Sequence, residues 1–181
     1  MPAYPDAYMD YLIYFHAERD YFECHEVLEE YWKEHPQHPC RESIVGLIQV
    51  AVSLYHQRRG NRRGGVKMMT SALTNLRPEQ LAQLGIDAVR MSELLAARLE
   101  ALQSEDFCFV DMNLPLQDEA LIQTCLDRCA STSPQMMWQQ PSDLEDTFLL
   151  NKHTLRDRSQ VRAERERQKQ AKQQRRMRDE A

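Results

Sequence analysis

The stretch SIVGLIQVAVSLYHQRRG, residues 43–60, decides the fold because it is apolar on nearly every side of a helix. Valine, isoleucine, leucine and alanine fill most positions as far as Tyr55 and leave no broad polar face. A helix of this kind is normally surrounded by other helices at the centre of a domain. We therefore predict a buried central helix over about residues 41–59.

Helical patterns continue on both sides of this stretch. Pro36 and Pro39 separate it from a helix at about residues 20–34, and Gly60 and Asn61 supply a stop and a new N-cap. No segment alternates apolar and polar residues as a half-buried strand does, so the sequence predicts an all-α fold, a compact multi-helix bundle. Further helices are expected at about residues 5–18, 62–76, 87–103 and 117–130, with a short helical turn after Pro78.

The 181 residues are divided by these patterns into four parts. We predict a core bundle over residues 1–76, additional helices packing on it over 77–133, a proline-containing linker over 134–153 and a basic tail over 154–181. The tail has a helix-forming composition but lacks a continuous apolar stripe, so burial cannot hold it along its length. It is predicted to be a protruding C-terminal helix.

Charge is unevenly distributed along the chain. Residues 1–151 contain 12 basic and 23 acidic side chains, whereas residues 152–181 contain 11 and 5. The basic side chains between Arg162 and Arg178 would neutralise phosphates, which predicts salt-dependent nucleic-acid binding. Interspersed acidic residues are equally compatible with a solvated helix, or with one that binds an acidic surface on a protein partner.

Cysteine usage and hydropathy indicate the cellular compartment of the protein. The five cysteines lack the spacing of a zinc finger or a C-x-x-C pair, so we interpret them as unpaired packing residues. No apolar run approaches the ~20 residues that span a bilayer, and no secretory segment is recognisable at the start. The sequence predicts a cytoplasmic protein without a membrane segment.

A line of polar side chains interrupts the apolar central helix. Gln49, Ser53 and His56 fall within about 60° of one another on a helical wheel. On the helix at residues 20–34, His25 and Glu29 are predicted to point inwards, while Glu23, Glu30 and Glu34 point outwards and Glu26 lies at the boundary. Buried polar groups need partners, so we predict a polar seam between helices two and three, formed by His25, Glu29, Gln49, Ser53 and His56.

The polar seam has four interpretations, of which the last is a ligand pocket. The first is a closed hydrogen-bond network that fixes helix register. The second is a divalent metal site, such as zinc, held by His25, Glu29 and His56, with Glu26 as general base beside a metal-bound water. The third is an acid–base site without metal. A ligand pocket lined by the polar seam, Trp32 and Tyr21 would need no chemistry at all. Whether the protein is an enzyme stays open at this level.

These blocks also carry a family resemblance. YFECHEVLEEYW, GLIQVAVSLYH and RGNRRGG resemble the bacterial and archaeal family known as domain of unknown function 309, over about residues 10–76. The resemblance implies a compact α-helical bundle and no established activity. The residues that match the family pattern are His25, Glu26, Leu28, Glu29, Trp32, Gly46–Gln49, Ala51, His56, Gly60, Asn61 and Gly64; Gly65 replaces the usual alanine.

Arginines surround the predicted helix start at Asn61. Arg59, Arg62 and Arg63 lie close to it in sequence, and a helix N-terminus with nearby cations can hold an anion. The order of residues differs from a P-loop. An ordinary inter-helix turn with solvated arginines is the alternative to an anion site.

Overall fold

Eight α-helices and one π-helical turn make up the described part of the chain, residues 4–155 of a computed structural model. Within these residues, the only β pairing is an isolated bridge between Ile86 and Leu116. The predicted all-α fold is confirmed. In chain order the helices are α1 (Asp6–Ile13), α2 (Tyr21–Glu34), α3 (Arg41–Arg58), α4 (Arg62–Asn75), α5 (Pro78–Gln83), α6 (Ala88–Ala101), α7 (Glu119–Thr132) and α8 (Thr147–Leu155).

Helix α3 occupies the centre, as its composition predicts. It packs against α2 on one side and α4 on the other. Leu47, Val50, Ala51 and Leu54 are fully buried. Burying one such leucine or valine contributes about 1.5–3 kcal/mol relative to leaving it exposed, so this helix organises the hydrophobic core.

Local sequence signals explain where these helices begin and end. Asp20 accepts a hydrogen bond from the Glu23 backbone N–H at 3.0 Å and caps α2, and Asn61 does the same for Gly64 at 2.9 Å at the start of α4. Gly60, with φ 74°, adopts the left-handed conformation that ends a helix. These ends agree with the predicted boundaries to within a residue or two.

The first predicted helix, residues 5–18, departs from a regular α-helix. α1 ends at Ile13, and residues Tyr14–Glu18 continue as a π-helical turn. Arg19 then ends the turn with φ 54°, although it is not a glycine. This conformation is unusual for a long side chain and needs support from neighbouring contacts.

Glycines let α3 and α4 approach closely. A Cβ atom added to Gly46 would lie 2.6 Å from Leu76 Cδ2, and one added to Gly65 would lie 2.8 Å from Gln57 Cγ. Both distances are shorter than ordinary van der Waals contact. Gly46 and Gly65 therefore allow close packing between α3 and α4.

Much of the predicted linker is attached to the helices. We call residues 136–149 the strap. Met136 and Trp138 pack against the core, and Gln140 Nε2 donates to the Ala17 carbonyl at 2.8 Å. Ser142 Oγ donates to Asp111 Oδ1 at 2.6 Å. These contacts make the strap part of the folded body, which a linker prediction did not anticipate.

Contacts group residues 1–150 into one unit and assign residues 151–181 to a second unit. The protruding basic helix predicted over 154–181 lies outside the described residues except for Thr154 and Leu155. The subdivision of the first 153 residues into core, added helices and linker stays a prediction. Among the described residues, no helix is both long and apolar enough to cross a membrane. All five cysteines are free, and four of them are buried.

Candidate functional site

His25 lies between two carboxylates on one side of α2. Its Nδ1 is 3.1 Å from Glu26 Oε1, and its Nε2 is 2.7 Å from Glu29 Oε2. One ligand atom from each of the three residues falls within 4.8 Å of the others. The other oxygen of Glu29, Oε1, pairs with Lys33 Nζ at 2.6 Å. We call His25, Glu26 and Glu29 the carboxylate–histidine cluster.

The carboxylate–histidine cluster lies at the edge of the protein interior. The side chains of His25, Glu26 and Glu29 are 29%, 35% and 34% exposed. The buried face of α2 is formed by Tyr21, Cys24 and Leu28. The prediction that His25 and Glu29 point into the core is therefore wrong, because the centre of the buried face is about 65° from His25 on the helical wheel.

The polar line of α3 has partners on α4. Gln49 Oε1 accepts from Asn75 Nδ2 at 2.9 Å, and Ser53 Oγ donates to the Gly65 carbonyl at 2.6 Å. Gln57, which is not among the predicted members of the polar seam, donates from Nε2 to Ser53 Oγ at 2.8 Å. The polar seam between helices two and three is a wrong prediction: α3 does need polar partners, but α4 provides them.

His56 belongs to the same α3–α4 side. Its Nδ1 is 3.1 Å from Asn61 Nδ2, so the amide donates and the imidazole accepts. Partial burial, and secondly the charge of Arg59, lower the pKa of His56. His56 is not a member of the one group of three or more close metal-ligand side chains found among residues 4–155. Of the predicted ligands His25, Glu29 and His56, the structure therefore brings together His25 and Glu29 and places His56 apart from them.

Trp32 and Tyr21 do not line a common pocket with the polar seam. The Trp32 ring lies under the Arg41 guanidinium, 3.9 Å from its Cζ to the ring centroid, and Arg41 also donates to the Trp32 carbonyl at 2.6 Å. Tyr21 is fully buried and donates to Asp111 Oδ1 at 2.7 Å. The ligand pocket predicted from these residues is wrong, since they face different parts of the structure.

Ser53 provides a test of its structural role. Replacing Ser53 with alanine should lower the free energy of unfolding by about 1–3 kcal/mol, because the fully buried Gln57 amide loses its hydroxyl partner. Urea denaturation would measure the change. Ser92→Ala on α6 is the matched control, since Ser92 is exposed and helical. Equal effects of the two substitutions would contradict this role for Ser53.

The arginines near Asn61 have separate environments. Arg62 Nη2 donates to the Leu102 carbonyl at 2.7 Å and also to the Ser104 carbonyl, so its prediction as a free anion ligand is wrong. Arg59 lies over the Tyr55 ring at 5.3 Å, and Arg63 is exposed. Anion binding by Arg59 and Arg63 stays a prediction.

A buried polar corner under the strap was not anticipated from the sequence. Arg19, only 2% exposed, donates from Nε to the Gln140 carbonyl at 2.6 Å and from Nη2 to Asn113 Oδ1 at 2.7 Å. Arg58 donates from Nη1 to the Arg19 carbonyl at 2.7 Å and to Ser142 Oγ at 3.0 Å. These guanidinium groups connect the strap to the end of the π-helical turn.

His16 lies in the π-helical turn and is completely buried. Its ring stacks on Trp138 of the strap, with 4.7 Å between centroids. Neither ring nitrogen has a hydrogen-bond partner among the described residues. Burial and then the nearby charge of Arg19 lower the pKa of His16 to about 3. The folded protein therefore favours the neutral imidazole.

The all-α architecture and the H-E-x-L-E block on α2 define the class of protein. The family described as "Domain of unknown function (DUF309)" matches residues 8–68, which contain the carboxylate–histidine cluster, α3 and the start of α4. The chain belongs to this family.

A relative in Bacillus subtilis (strain 168) extends the similarity to most of the chain. The relative, "Uncharacterized protein YpuF", is 44% identical over 167 residues, covering 91% of this chain and 94% of its own length. The similarity therefore includes the strap and α7 as well as the family region. No solved structure matches the chain. The basic segment predicted to bind nucleic acid, residues 162–178, lies outside the described residues.

Proposed function

We propose that this protein binds a divalent transition-metal ion at His25, Glu26 and Glu29. The observation that supports this function is that one ligand atom from each of these three side chains lies within 4.8 Å of the other two. Ligands about 2.0–2.2 Å from an ion are roughly 3–4 Å apart. Because an imidazole binds an ion through one nitrogen, the carboxylate on the other nitrogen must rotate towards the ion to become a ligand. The partial exposure of all three side chains leaves a path from solvent.

The donor set favours particular ions. One imidazole nitrogen and two carboxylate oxygens suit Mn²⁺, Fe²⁺ or Zn²⁺, whereas Ca²⁺ prefers six to eight oxygens. A bound ion of this kind supplies Lewis acidity and lowers the pKa of a water that it binds. Because a ligand atom of Glu26 lies within 4.8 Å of those of His25 and Glu29, Glu26 is the third metal ligand in this proposal and replaces His56 in that role. We propose ion binding alone and assign no reaction.

The same residues also stabilise α2 without an ion. Pairs four residues apart on a helix, such as His25 with Glu29 and Glu29 with Lys33, contribute about 0.2–0.5 kcal/mol each. Such small contributions do not need a third group, yet Glu26 turns towards the same imidazole. This third contact supports a site over a simple helix-surface pair.

Titration with Mn²⁺ tests the proposal, because manganese binds the thiol of the exposed Cys108 weakly. We expect one ion per chain by isothermal titration calorimetry. His25→Ala, Glu26→Gln and Glu29→Gln should each weaken binding at least about tenfold, since the loss of even an outer partner of a metal ligand typically costs 10–100-fold.

His56→Ala is the matched control for this titration, because His56 pairs with Asn61 and lies outside the cluster. Binding to this variant should equal binding to the wild-type protein. Absence of Mn²⁺ and Zn²⁺ binding to the wild-type protein would refute the proposed function. A loss of binding in His56→Ala, with Glu26→Gln unaffected, would favour the ligand set predicted from the sequence.

A further inference from the structure

Lys33 pairs with one of the four carboxylate oxygens that Glu26 and Glu29 bring to the carboxylate–histidine cluster. Its Nζ lies 2.6 Å from Glu29 Oε1, while Glu29 Oε2 faces His25 at 2.7 Å. Each oxygen of Glu29 therefore already has a cationic or hydrogen-bonding partner. An ion that enters the cluster meets Glu29 with only Oε2 directed towards His25.

We propose that Lys33 is an internal competitor that sets the affinity and ion selectivity of the site, by pairing with Glu29 Oε1 and restricting this carboxylate to one metal-binding oxygen. This inference rests on the proposed metal site. The ammonium group and the divalent ion repel each other and share one carboxylate, so the ion binds more weakly while Lys33 is in place. Removing the ammonium group frees the second oxygen.

The second oxygen matters for selectivity. A carboxylate with both oxygens available can bind an ion bidentately, as Ca²⁺ sites commonly require, whereas a small ion such as Mn²⁺ or Zn²⁺ is well served by one oxygen. By keeping Glu29 monodentate, Lys33 keeps the number of protein oxygens low. The lysine would thus favour transition-metal ions over Ca²⁺.

Lys33 is suited to this role because its side chain is largely exposed. Its side chain is 60% exposed, and its position on α2 four residues after Glu29 lets it approach the carboxylate without burying its charge. An exposed pair of this kind is weak and is screened by salt. The competition should therefore decrease affinity by a modest factor and should diminish at high ionic strength.

The test compares Mn²⁺ and Ca²⁺ binding to the wild-type protein and to Lys33→Met by calorimetry in low salt. We expect Mn²⁺ to bind about two- to fivefold more tightly to Lys33→Met, and the ratio of the Ca²⁺ to the Mn²⁺ dissociation constant to decrease. The gain should largely disappear in about 1 M salt, where the Debye length is about 3 Å. Lys33→Arg keeps the positive charge and should behave like the wild-type protein.

Lys67→Met is the matched control, since it removes one exposed lysine charge from α4 rather than α2. If Lys33→Met binds Mn²⁺ within twofold of both the wild-type protein and Lys67→Met, Lys33 does not compete and the inference fails while the metal site stands. If none of the three proteins binds Mn²⁺, the proposed function fails together with the inference. An equal increase in Mn²⁺ affinity in Lys33→Met and Lys67→Met would show a general charge effect and would also overturn the inference about Lys33.

Discussion

Lowering the pH from 7 to 4 should remove about 3 kcal/mol of folding stability through His16 alone. In the folded protein, burial and Arg19 lower the pKa of this imidazole to about 3. In the unfolded chain, the same group takes up a proton near pH 6.5. Between these two values the unfolded state binds more protons than the folded state, so stability falls as the pH falls. The contribution is fully present above about pH 6.5 and is lost progressively towards pH 3.

Urea denaturation at several pH values would measure this effect, with His16→Phe as the comparison. Carboxylates titrate in both proteins, so the difference between the two pH profiles isolates His16. The wild-type protein should lose roughly 3 kcal/mol more than the variant between pH 7 and pH 4. His16→Leu serves the same purpose if the larger phenyl ring distorts the packing against Trp138. Parallel pH profiles of the wild-type protein and both variants would show that the imidazole can be protonated without unfolding.

Replacing Arg19 with methionine should lower the free energy of unfolding by about 3–5 kcal/mol. The guanidinium donates to the carbonyls of Phe15, Met112 and Gln140 and to Asn113, at distances between 2.6 and 3.0 Å. Methionine fills a similar volume but donates no hydrogen bond, so several buried acceptors lose their partner. The methionine would also have to adopt the φ of 54° at this position without the contacts that stabilise it in the wild-type protein.

Thermal and urea unfolding would measure the loss, and Arg63→Met is the matched control because Arg63 is exposed. The control should change stability by no more than about 0.5 kcal/mol. Arg19→Lys should recover only part of the loss, since a lysine keeps the charge but cannot supply the planar set of donors. A change below about 1 kcal/mol in Arg19→Met would mean that water or a rearranged strap replaces the guanidinium.

Periodicity and cap residues were sufficient to predict the fold. The predominantly apolar pattern of residues 44–55 identified α3 as central, and Asp20 and Asn61 marked the starts of α2 and α4 to within one residue. These signals are local, because a cap bonds to backbone groups three residues away and an apolar side chain must be buried wherever the helix lies. Local signals of this kind are readable from a single sequence.

The candidate site was predicted only in part, because a helical wheel gives directions and not neighbours. The wheel grouped Gln49, Ser53 and His56 correctly, yet it could not tell which helix they face. The chain reverses at Gly60, and the small residues Gly64 and Gly65 bring α4 against this side of α3. The chemistry of the H-E-x-L-E block was recognised, but its third member was Glu26, a residue judged to be at the boundary.

The buried polar corner had no readable signal in the sequence. Arg19 and Arg58 resemble ordinary surface residues at the end of a helix, and nothing near them indicates that Asn113, Gln140 or Ser142 will cover them. Such long-range contacts depend on the path of the chain after α6. The π-helical turn also has no sequence signal, since its residues, YFHAE, are equally compatible with a regular α-helix.

The strap also supplies hydrogen-bond partners that residues of the family region need in order to be satisfied when buried. The matched segment, residues 8–68, contains Arg19 and Arg58, whereas their partners Gln140 and Ser142 come much later in the chain. A protein truncated at residue 68 would keep both guanidinium groups but lose these acceptors and the second half of α4. The family region therefore depends on contacts with a later part of the chain. A relative without a strap must cover this buried polar corner with another segment, or carry different residues at the positions of Arg19 and Arg58.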